Sequence, residues 1–255
     1  MSYYLSSATG AYPISRGNEM TSFANQLILL LLLPLGSPAK CCISERCGRP
    51  QVALVVGVMS AVENFERRNA IRRTWAKLRS NRVELRFVVG KPARNSMSPI
   101  TDMNAADLLR VPVVDSYRAV ILKLLHFMRW AASHFVFAWL MKADDDAFVA
   151  LPWLLRALSQ VPRNQKGVYL GHFWTGPPIR QGSHRNALLR SSYPLSVLHP
   201  YAHGAGYVLS NDLVDYAVRN ADFLLPGLLQ GGNVEDIQVG LWMFALGIQA
   251  RHDHR

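Results

Sequence analysis

The chain has 255 residues, half of them hydrophobic, and its 28 Lys and Arg against 17 Asp and Glu give a formal net charge of +11. This length allows one large domain or two small ones with a sizeable core. The charge predicts anionic partners such as nucleotide phosphates, acidic glycans or lipid headgroups. The basic residues are scattered and form no single tract, which argues against nucleic acid as a partner.

The first fifty residues are predicted to lie outside the folded domain. Residues 1–26 are polar and rich in Ser, which predicts a disordered tail, and residues 36–50 form a linker. Between them, residues 27–35 are an apolar run too short to cross a bilayer as a helix, which needs about 20 residues. The run resembles the apolar region of a signal peptide, and a short signal anchor is an equal interpretation. The cysteines could link chains, accept lipid or have no specific role, and all precede the folded part: Cys41, Cys42 and Cys47.

From residue 51 onward, apolar runs of strand length alternate with segments of helical periodicity. The predicted strands cover residues 51–59, 83–89, 108–114, 136–143, 168–171, 205–210 and 248–250. The predicted helices cover residues 64–80, 117–135, 153–160 and 234–246, with a further helix capped by Asn211 or Asp212. This alternation predicts an α/β layered domain with a largely parallel central sheet.

The apolar run at residues 135–143 ends abruptly in three carboxylates, Asp144, Asp145 and Asp146. A continuous apolar run of this length predicts a strand buried on both faces, and parallel sheets bind ligands at the carboxyl ends of their strands. Three adjacent carboxylates repel one another unless a cation lies among them, and oxygen ligands suit Mg²⁺ or Mn²⁺ and hence a diphosphate. A solvated acidic turn is the alternative interpretation.

Four segments in order resemble the β-1,3-galactosyltransferase family, which also contains β-1,3-N-acetylglucosaminyltransferases and Fringe-like enzymes. These segments are ERRNAIRRTW at 66–75, KADDDAFV at 142–149, YAHGAGYVLS at 201–210 and EDIQVG at 235–240. The last two look most similar to the member that adds the second galactose of the glycosaminoglycan linker. The resemblance implies that residues 51–255 form a GT-A-type nucleotide-sugar-binding domain.

The same resemblance implies an activity and a location. It implies inverting transfer of galactose from UDP-galactose to the 3-hydroxyl of a glycan acceptor, with Mn²⁺ as the cofactor and Mg²⁺ as the alternative. A β-1,3-N-acetylglucosaminyltransferase and a truncated nucleotide-sugar-binding relative with little activity remain open. Family members are expected to be single-pass type II proteins of the Golgi membrane with a luminal catalytic domain. The oligomeric state stays undetermined.

The family's donor-site residues are carried over onto matching positions. The resemblance implies that Asp146 and Asp144 ligate the metal, while Asp144 and Asp145 contact the ribose and the surroundings of the metal. Arg68 and Arg72 match basic residues near the donor. Their spacing of four also fits a solvated basic face of a helix.

A further matching segment contains Asp115, Tyr117 and Lys123. Lys123 falls off the apolar face of its predicted helix, which fits either a phosphate contact or plain exposure. Gly204 and Gly206 bracket Ala205, where relatives often carry glycine. Small residues here fit a close approach of the backbone to the sugar, or a tight entry into a strand.

Glu235 and Asp236 lie in the first turn of a predicted helix behind Gly231 and Gly232. One interpretation is helix capping, with Asn233 as N-cap and the acids favoured by the helix dipole. The resemblance implies instead that one of them is the base that deprotonates the acceptor hydroxyl, Asp236 first and Glu235 second. Family members continue past this point with a metal-ligand histidine, so we expect the chain to be a C-terminally truncated form.

Overall fold

A computed structural model describes residues 48–92, 102, 105–162, 165–225, 229 and 234–252, and the structural statements below concern these residues. The predicted tail, the apolar run at 27–35, most of the linker and the three cysteines lie outside the described residues. The predicted N-cap Asn233 and the two glycines before it also lie outside. Within the described ranges, no helix has the length and apolarity needed to span a bilayer.

A seven-stranded sheet forms the centre of the domain, with the order β3-β2-β1-β4-β6-β5-β7. The strands are β1 Gln51–Met59, β2 Val83–Lys91, β3 Leu108–Val114, β4 Val136–Asp144, β5 Tyr169–Trp174, β6 Tyr201–Ser210 and β7 Ala250–His252. All pairings are parallel except those of β6, which runs antiparallel to both of its neighbours. The prediction of an α/β domain with a mostly parallel sheet is confirmed.

Helices cover both faces of this sheet. They are α1 Phe65–Arg73, α2 Val120–His134, α3 Leu151–Ser159, α4 Asn211–Arg219, α5 Ala221–Leu224 and α6 Glu235–Ala245, with 3₁₀ turns at Trp75–Leu78 and Tyr117–Ala119. One core lies under α2, α4 and α6, and a second lies under α1, the Trp75 turn and α3. Burial of both faces explains why β1 and β4 are continuously apolar.

The helix predicted for residues 64–80 is interrupted at Thr74, so that prediction is wrong in its second half. Thr74 leaves the helical region, with φ −114° and ψ −111°, and its hydroxyl donates to the carbonyl of Ala70 at 2.7 Å. The following 3₁₀ turn buries Trp75, whose Nε1 donates to the carbonyl of Ala147 at 3.2 Å. Packing of this indole beside the acidic triplet outweighs the periodicity that predicts a continuous helix.

The N-cap of α4 is Ser210, one residue before the predicted cap. Its hydroxyl and the carboxylate of Asp212 accept the backbone N–H groups of Val168 and Gly167 at 3.0 and 2.9 Å. These side chains therefore anchor the segment that leads into β5, and they do not cap their own helix.

The direction of the strands places several candidate residues at one edge of the sheet. The carboxyl ends of β1, β2, β3, β4 and β5 share this edge with the amino end of β6. Asp144 is the last residue of β4, and Tyr201 and Gly204 are the first and fourth residues of β6. Helix α6 begins next to them, because its Gly240 packs directly against Tyr201. The edge therefore gathers three of the four sequence segments quoted above.

Candidate active site

A pocket of about 340 Å³ opens at the carboxyl ends of β1 and β4. Its walls include Met59, Ser60, Ala61, Glu63, Asn64, Arg67, Asp115, Ser116, Tyr117, Val120, Lys123, Asp144, Asp145 and Asp146. The acidic triplet and the segment of Asp115, Tyr117 and Lys123 thus meet in one cavity. Arg68 and Arg72 are not among the lining residues.

The three aspartates of the triplet have different surroundings. Asp145 is buried, and its two oxygens accept hydrogen bonds from Ser60 at 2.7 Å, Asn64 at 2.8 Å and Arg67 at 2.9 Å. Asp146 is 66% exposed and contacts only Arg67 among the described residues, at 3.1 Å. Asp145 therefore braces the pocket, while Asp146 extends into it, which excludes the interpretation of the triplet as a uniformly solvated turn.

The carboxylate oxygens of the triplet fit a divalent cation that is shared with a substrate. Within the described ranges, no cluster of three or more His, Cys, Asp or Glu is arranged around a metal position. Asp144 and Asp146 each keep one carboxylate oxygen without a protein donor in the described part of the chain. Mg²⁺ and Mn²⁺ suit such a site, because one or two carboxylates suffice when phosphates and water complete the coordination.

Arg68 and Arg72, both predicted near the donor, are held by aspartates behind the pocket. Arg68 is 1% exposed, and its guanidinium donates to Asp102 at 2.8 and 3.0 Å and to Ser60 at 3.0 Å. Arg72 pairs with Asp107 at 2.8 Å and with Asp102 at 2.9 Å. Neither a phosphate fork nor a solvated basic face describes them. Asp102 and Asp107 neutralise both guanidinium groups, and Arg68 also supports the pocket wall through Ser60 and Ala61.

Arg67 is the arginine that reaches the pocket, and the sequence interpretation missed it. The half-exposed side chain donates to Asp145 at 2.9 Å and to Asp146 at 3.1 Å. The hydrogen bond and charge of Asp145 raise the pKa of Arg67, so the guanidinium stays charged beside the triplet. Spacing alone could not select Arg67 among its neighbouring arginines, since only the angle of α1 against β4 decides which of them faces the carboxylates.

Lys123 lies in the pocket wall but is buried, so the expectation of plain exposure is wrong. Its ammonium donates to Asp115 at 2.6 Å and to the carbonyl of Ser60 at 2.7 Å. Burial lowers the pKa of Lys123, and the partner Asp115 opposes that shift. Asp115 also accepts the backbone N–H groups of Val62 and Gly90 at 3.2 and 3.0 Å. The pair therefore ties β1, β2 and α2 together under the cavity.

Lys142 joins the acidic triplet to the start of α6. It is 1% exposed, and its ammonium lies 2.7 Å from Asp144 and 3.1 Å from Glu235, and it also donates to the carbonyl of Gly204. Burial opposes the charge of Lys142, but the carboxylates of Glu235 and Asp144 outweigh it and raise the pKa of Lys142. A lysine inside an apolar strand, just before an acidic triplet, is the sequence signal for a buried lysine that joins acidic groups, since a buried cation requires carboxylate partners.

Glu235 and Asp236 are both at the start of α6, and their environments differ. Glu235 is buried, receives the hydroxyl of Tyr207 and pairs with Lys142. Asp236 is half-buried, and it accepts the backbone N–H of Gly204 at 3.1 Å and of Ile237 at 2.9 Å. Burial raises the pKa of Asp236 despite these two donors, which makes its carboxylate a stronger base. Asp236 is therefore the better placed of the two to meet a substrate.

Gly204 lies close to both Asp144 and Asp236. A Cβ added here would lie 3.3 Å from Asp236 Oδ2, 3.5 Å from Lys142 Nζ and 3.7 Å from Asp144 Oδ2. The missing side chain thus leaves room for the ends of three protein side chains. This crowding explains why a glycine is needed at position 204. The sequence interpretations propose a close approach of the sugar or a tight entry into the strand instead. Asp144 and Asp236 consequently flank the same stretch of β6 backbone.

His199 supports α6 from behind and makes the domain sensitive to acid. Its Nε2 donates to the carbonyl of Ile237 at 2.8 Å, next to Asp236, and the ring is buried. A carbonyl can only accept, so the proton of the neutral ring lies on Nε2. Burial lowers the pKa of His199 to about 4, so the folded protein holds this ring neutral.

We expect His199 to lower stability as the pH falls. The unfolded ring binds a proton below about pH 6.5, whereas the folded ring does not until about pH 4, so stability is lost across this window. The expected loss from this residue is about 1.4 kcal/mol per pH unit within the window. Denaturant unfolding of wild type and His199→Gln between pH 7 and 5 measures it. Equal pH slopes in the two proteins would contradict the prediction.

The chain matches a protein-family model described as Galactosyltransferase over residues 66–254, and it belongs to that family. It is 30% identical to hydroxyproline O-galactosyltransferase GALT6 of Arabidopsis thaliana and 32% identical to beta-1,3-galactosyltransferase 6 of Mus musculus. It is also 30% identical to lactosylceramide 1,3-N-acetyl-beta-D-glucosaminyltransferase of Homo sapiens. The mixed, mostly parallel sheet with helices on both faces is consistent with a GT-A-like domain.

These similarities cover most of this chain but less of the relatives. The alignments include 76%, 81% and 80% of this chain against the plant, mouse and human proteins. They include 28%, 65% and 57% of those three proteins, in the same order. The family-model match over residues 66–254 contains the acidic triplet, Gly204 and the start of α6.

Proposed function

We propose that this domain transfers galactose, with inversion, from UDP-galactose to the 3-hydroxyl of a glycan acceptor. The observation that carries the proposal is the arrangement around Gly204. There, a partly exposed acidic triplet beside a pocket and a second, separate carboxylate with a raised pKa face the same backbone segment. A sugar transferase needs these two groups, one for the leaving diphosphate and one for the incoming hydroxyl.

The donor would lie in the pocket at the acidic triplet. Asp146 and Asp144 would hold Mn²⁺, with Mg²⁺ as the alternative, through the carboxylate oxygens that lack a protein donor. That cation offsets the negative charge that gathers on the diphosphate as the bond to the sugar breaks. Arg67 adds a fixed positive charge at the same place, while Asp145 and Lys123 keep the walls of the pocket in position.

The acceptor would lie on the side of Asp236. Its carboxylate takes the proton from the acceptor hydroxyl while that oxygen bonds to the anomeric carbon and the diphosphate oxygen leaves with the electron pair. Attack from the face opposite the leaving group inverts the configuration. The buried Glu235 holds Lys142 and Tyr207 and would leave this proton transfer to its neighbour.

N-acetylglucosamine transfer is the second candidate, and the similarity to the human N-acetylglucosaminyltransferase favours it. A UDP-release assay across UDP-galactose, UDP-N-acetylglucosamine and UDP-glucose, with and without Mn²⁺, separates the two. Release from UDP-galactose in the presence of an acceptor supports the first candidate. Release only from UDP-N-acetylglucosamine would replace it with the second, and no release from any donor would contradict a transferase function.

Asp146→Ala should abolish Mn²⁺-dependent binding of UDP, because it removes the most exposed carboxylate of the triplet. Titration calorimetry of UDP with and without Mn²⁺ measures this loss. Asp222→Ala is the control, since Asp222 is an exposed carboxylate on α5 outside the pocket lining. Unchanged UDP binding by the Asp146 variant would remove the triplet from the donor site.

A further inference from the structure

Trp174 presents an exposed indole at the edge of the sheet that carries the candidate site. It is the last residue of β5 and is 43% exposed. It pairs across the strands with Tyr201, the first residue of β6, a few residues from Gly204. This indole offers an apolar face beside the candidate site, and burial of that face by a ligand is favourable.

The ring of Trp174 is held in place by its neighbours. It meets the ring of Tyr201 edge to face, with centroids 5.9 Å apart and planes at 77°. A Cβ on Gly176 would lie only 2.7 Å from the ring's Cζ2 and Cη2 atoms, so the indole rests directly on backbone. Two hydrogen bonds close the loop. Thr175 Oγ1 donates to the carbonyl of Leu198 at 2.6 Å, and the backbone N–H of Leu198 donates to the carbonyl of Gly176 at 2.8 Å. A ring fixed in this way loses little conformational freedom when it binds a ligand.

Trp174 rests against Tyr201, and Tyr201 in turn contacts the helix that carries the candidate base. Gly240 of α6 packs against Tyr201, and Asp236 lies four residues earlier, on the same face of that helix. Burial, followed by the charge of Asp236, raises the pKa of Tyr201 to about 12. A molecule that stacks on Trp174 therefore has its polar groups within the neighbourhood of Asp236.

We propose that Trp174 is the stacking platform for the acceptor, on which a pyranose ring lies with its apolar C–H face against the indole. This inference rests on the proposed function and adds the position and chemistry of the acceptor subsite. A pyranose offers one face of C–H groups and a rim of hydroxyls, so the apolar face covers the indole while the rim remains free to meet Asp236. The alternative occupant is the five-membered ring of an acceptor hydroxyproline, which is smaller and would cover less of the indole.

The experiment compares Trp174→Ala with Trp153→Ala in the full chain. Trp153 is a matched control, because this indole on α3 is 70% exposed and lies outside the candidate site. The acceptors are methyl β-D-galactoside and a short hydroxyproline-containing peptide, each with UDP-galactose and Mn²⁺. We expect Trp174→Ala to raise KM for the galactoside about tenfold, with no such change in Trp153→Ala.

Two further measurements separate stacking from a structural effect. The KM for UDP-galactose and the thermal unfolding midpoint should stay near their wild-type values in Trp174→Ala. Trp174→Phe should restore most of the acceptor affinity, since a smaller aromatic ring still offers a stacking face. An equal rise in acceptor and donor KM, or a rise in the peptide KM alone, would overturn the inference.

Acceptor binding measured without turnover keeps the inference distinct from the proposed function. Saturation-transfer NMR of methyl β-D-galactoside with UDP present reports contact between sugar and protein. Sugar binding that depends on Trp174 in an inactive protein would support the subsite and contradict the transferase function. An active protein whose galactoside binding is the same with and without Trp174 would contradict the subsite alone.

Discussion

Asp236→Asn should lower turnover by about 10²- to 10⁴-fold, the usual cost of removing a general base, while affinity for the UDP-sugar stays nearly unchanged. The substitution removes the basic carboxylate but retains one oxygen that can accept the N–H of Gly204. Helix α6 also keeps Glu235 with its lysine and tyrosine partners. Stopped assays of UDP release with acceptor, together with calorimetry of UDP binding, measure the two effects separately.

Glu235→Gln is the informative comparison for the base. Glu235 is buried against Lys142, so its loss should affect stability more than proton transfer. Asp222→Asn serves as the control for a remote carboxylate. Normal turnover in Asp236→Asn with a collapse in Glu235→Gln would move the assignment by one residue. If neither variant changes an active protein, the general-base mechanism does not apply.

Lys142→Met should reduce the free energy of unfolding by about 3–5 kcal/mol, the range for breaking a buried ion pair by removing one partner. Methionine fills similar volume, so the main effect is the loss of the positive charge between Asp144 and Glu235. Both carboxylates, together with the carbonyl of Gly204, then lack their common donor. Denaturant unfolding followed by circular dichroism measures the change.

A second substitution tests this explanation for Lys142. In Lys142→Met combined with Glu235→Gln, the buried negative charge is also removed, so part of the lost stability should return. Arg219→Met is the control, since its pairing with Asp215 is half-exposed and spaced 3.6 Å, and surface pairs contribute less than about 1 kcal/mol. A loss no larger than that of the control would show that the buried lysine does not hold the site together.

The strands and the acidic triplet could be predicted from the sequence because burial determines both. A strand covered on two faces is largely apolar, so β1 and β4 are visible as apolar runs, with the buried Lys142 as the exception in β4. The abrupt change at Asp144 marks the end of β4, and the carboxyl ends of parallel strands share one edge. The segment of Asp115 and Lys123 was noted only because it matches the family, and no local pattern predicts that the two side chains pair in the pocket wall.

The roles of the arginines on α1 could not be predicted from sequence patterns. Helical spacing places Arg68 and Arg72 on one face of α1, but Asp102 and Asp107, which lie later in the chain, pair with them in a buried to half-buried ion-pair network. Arg67, on another face, points to the triplet. The angle at which α1 packs on the sheet determines these roles, and no local pattern encodes that angle.

The layered α/β class, the position of the acidic triplet and the placement of two acids in the first turn of α6 could all be predicted from the sequence. These features depend on local hydrophobic periodicity and on residue types at short spacing. The packed structure was needed to show which acid is buried with Lys142, which one stays half-buried, and that Trp174 packs against Tyr201 next to α6. Those outcomes depend on contacts between β4, β5, β6 and α6, whose residues are far apart in the chain. Burial and charge pairing are properties of such assembled neighbourhoods, so they appear only when the strands are in register.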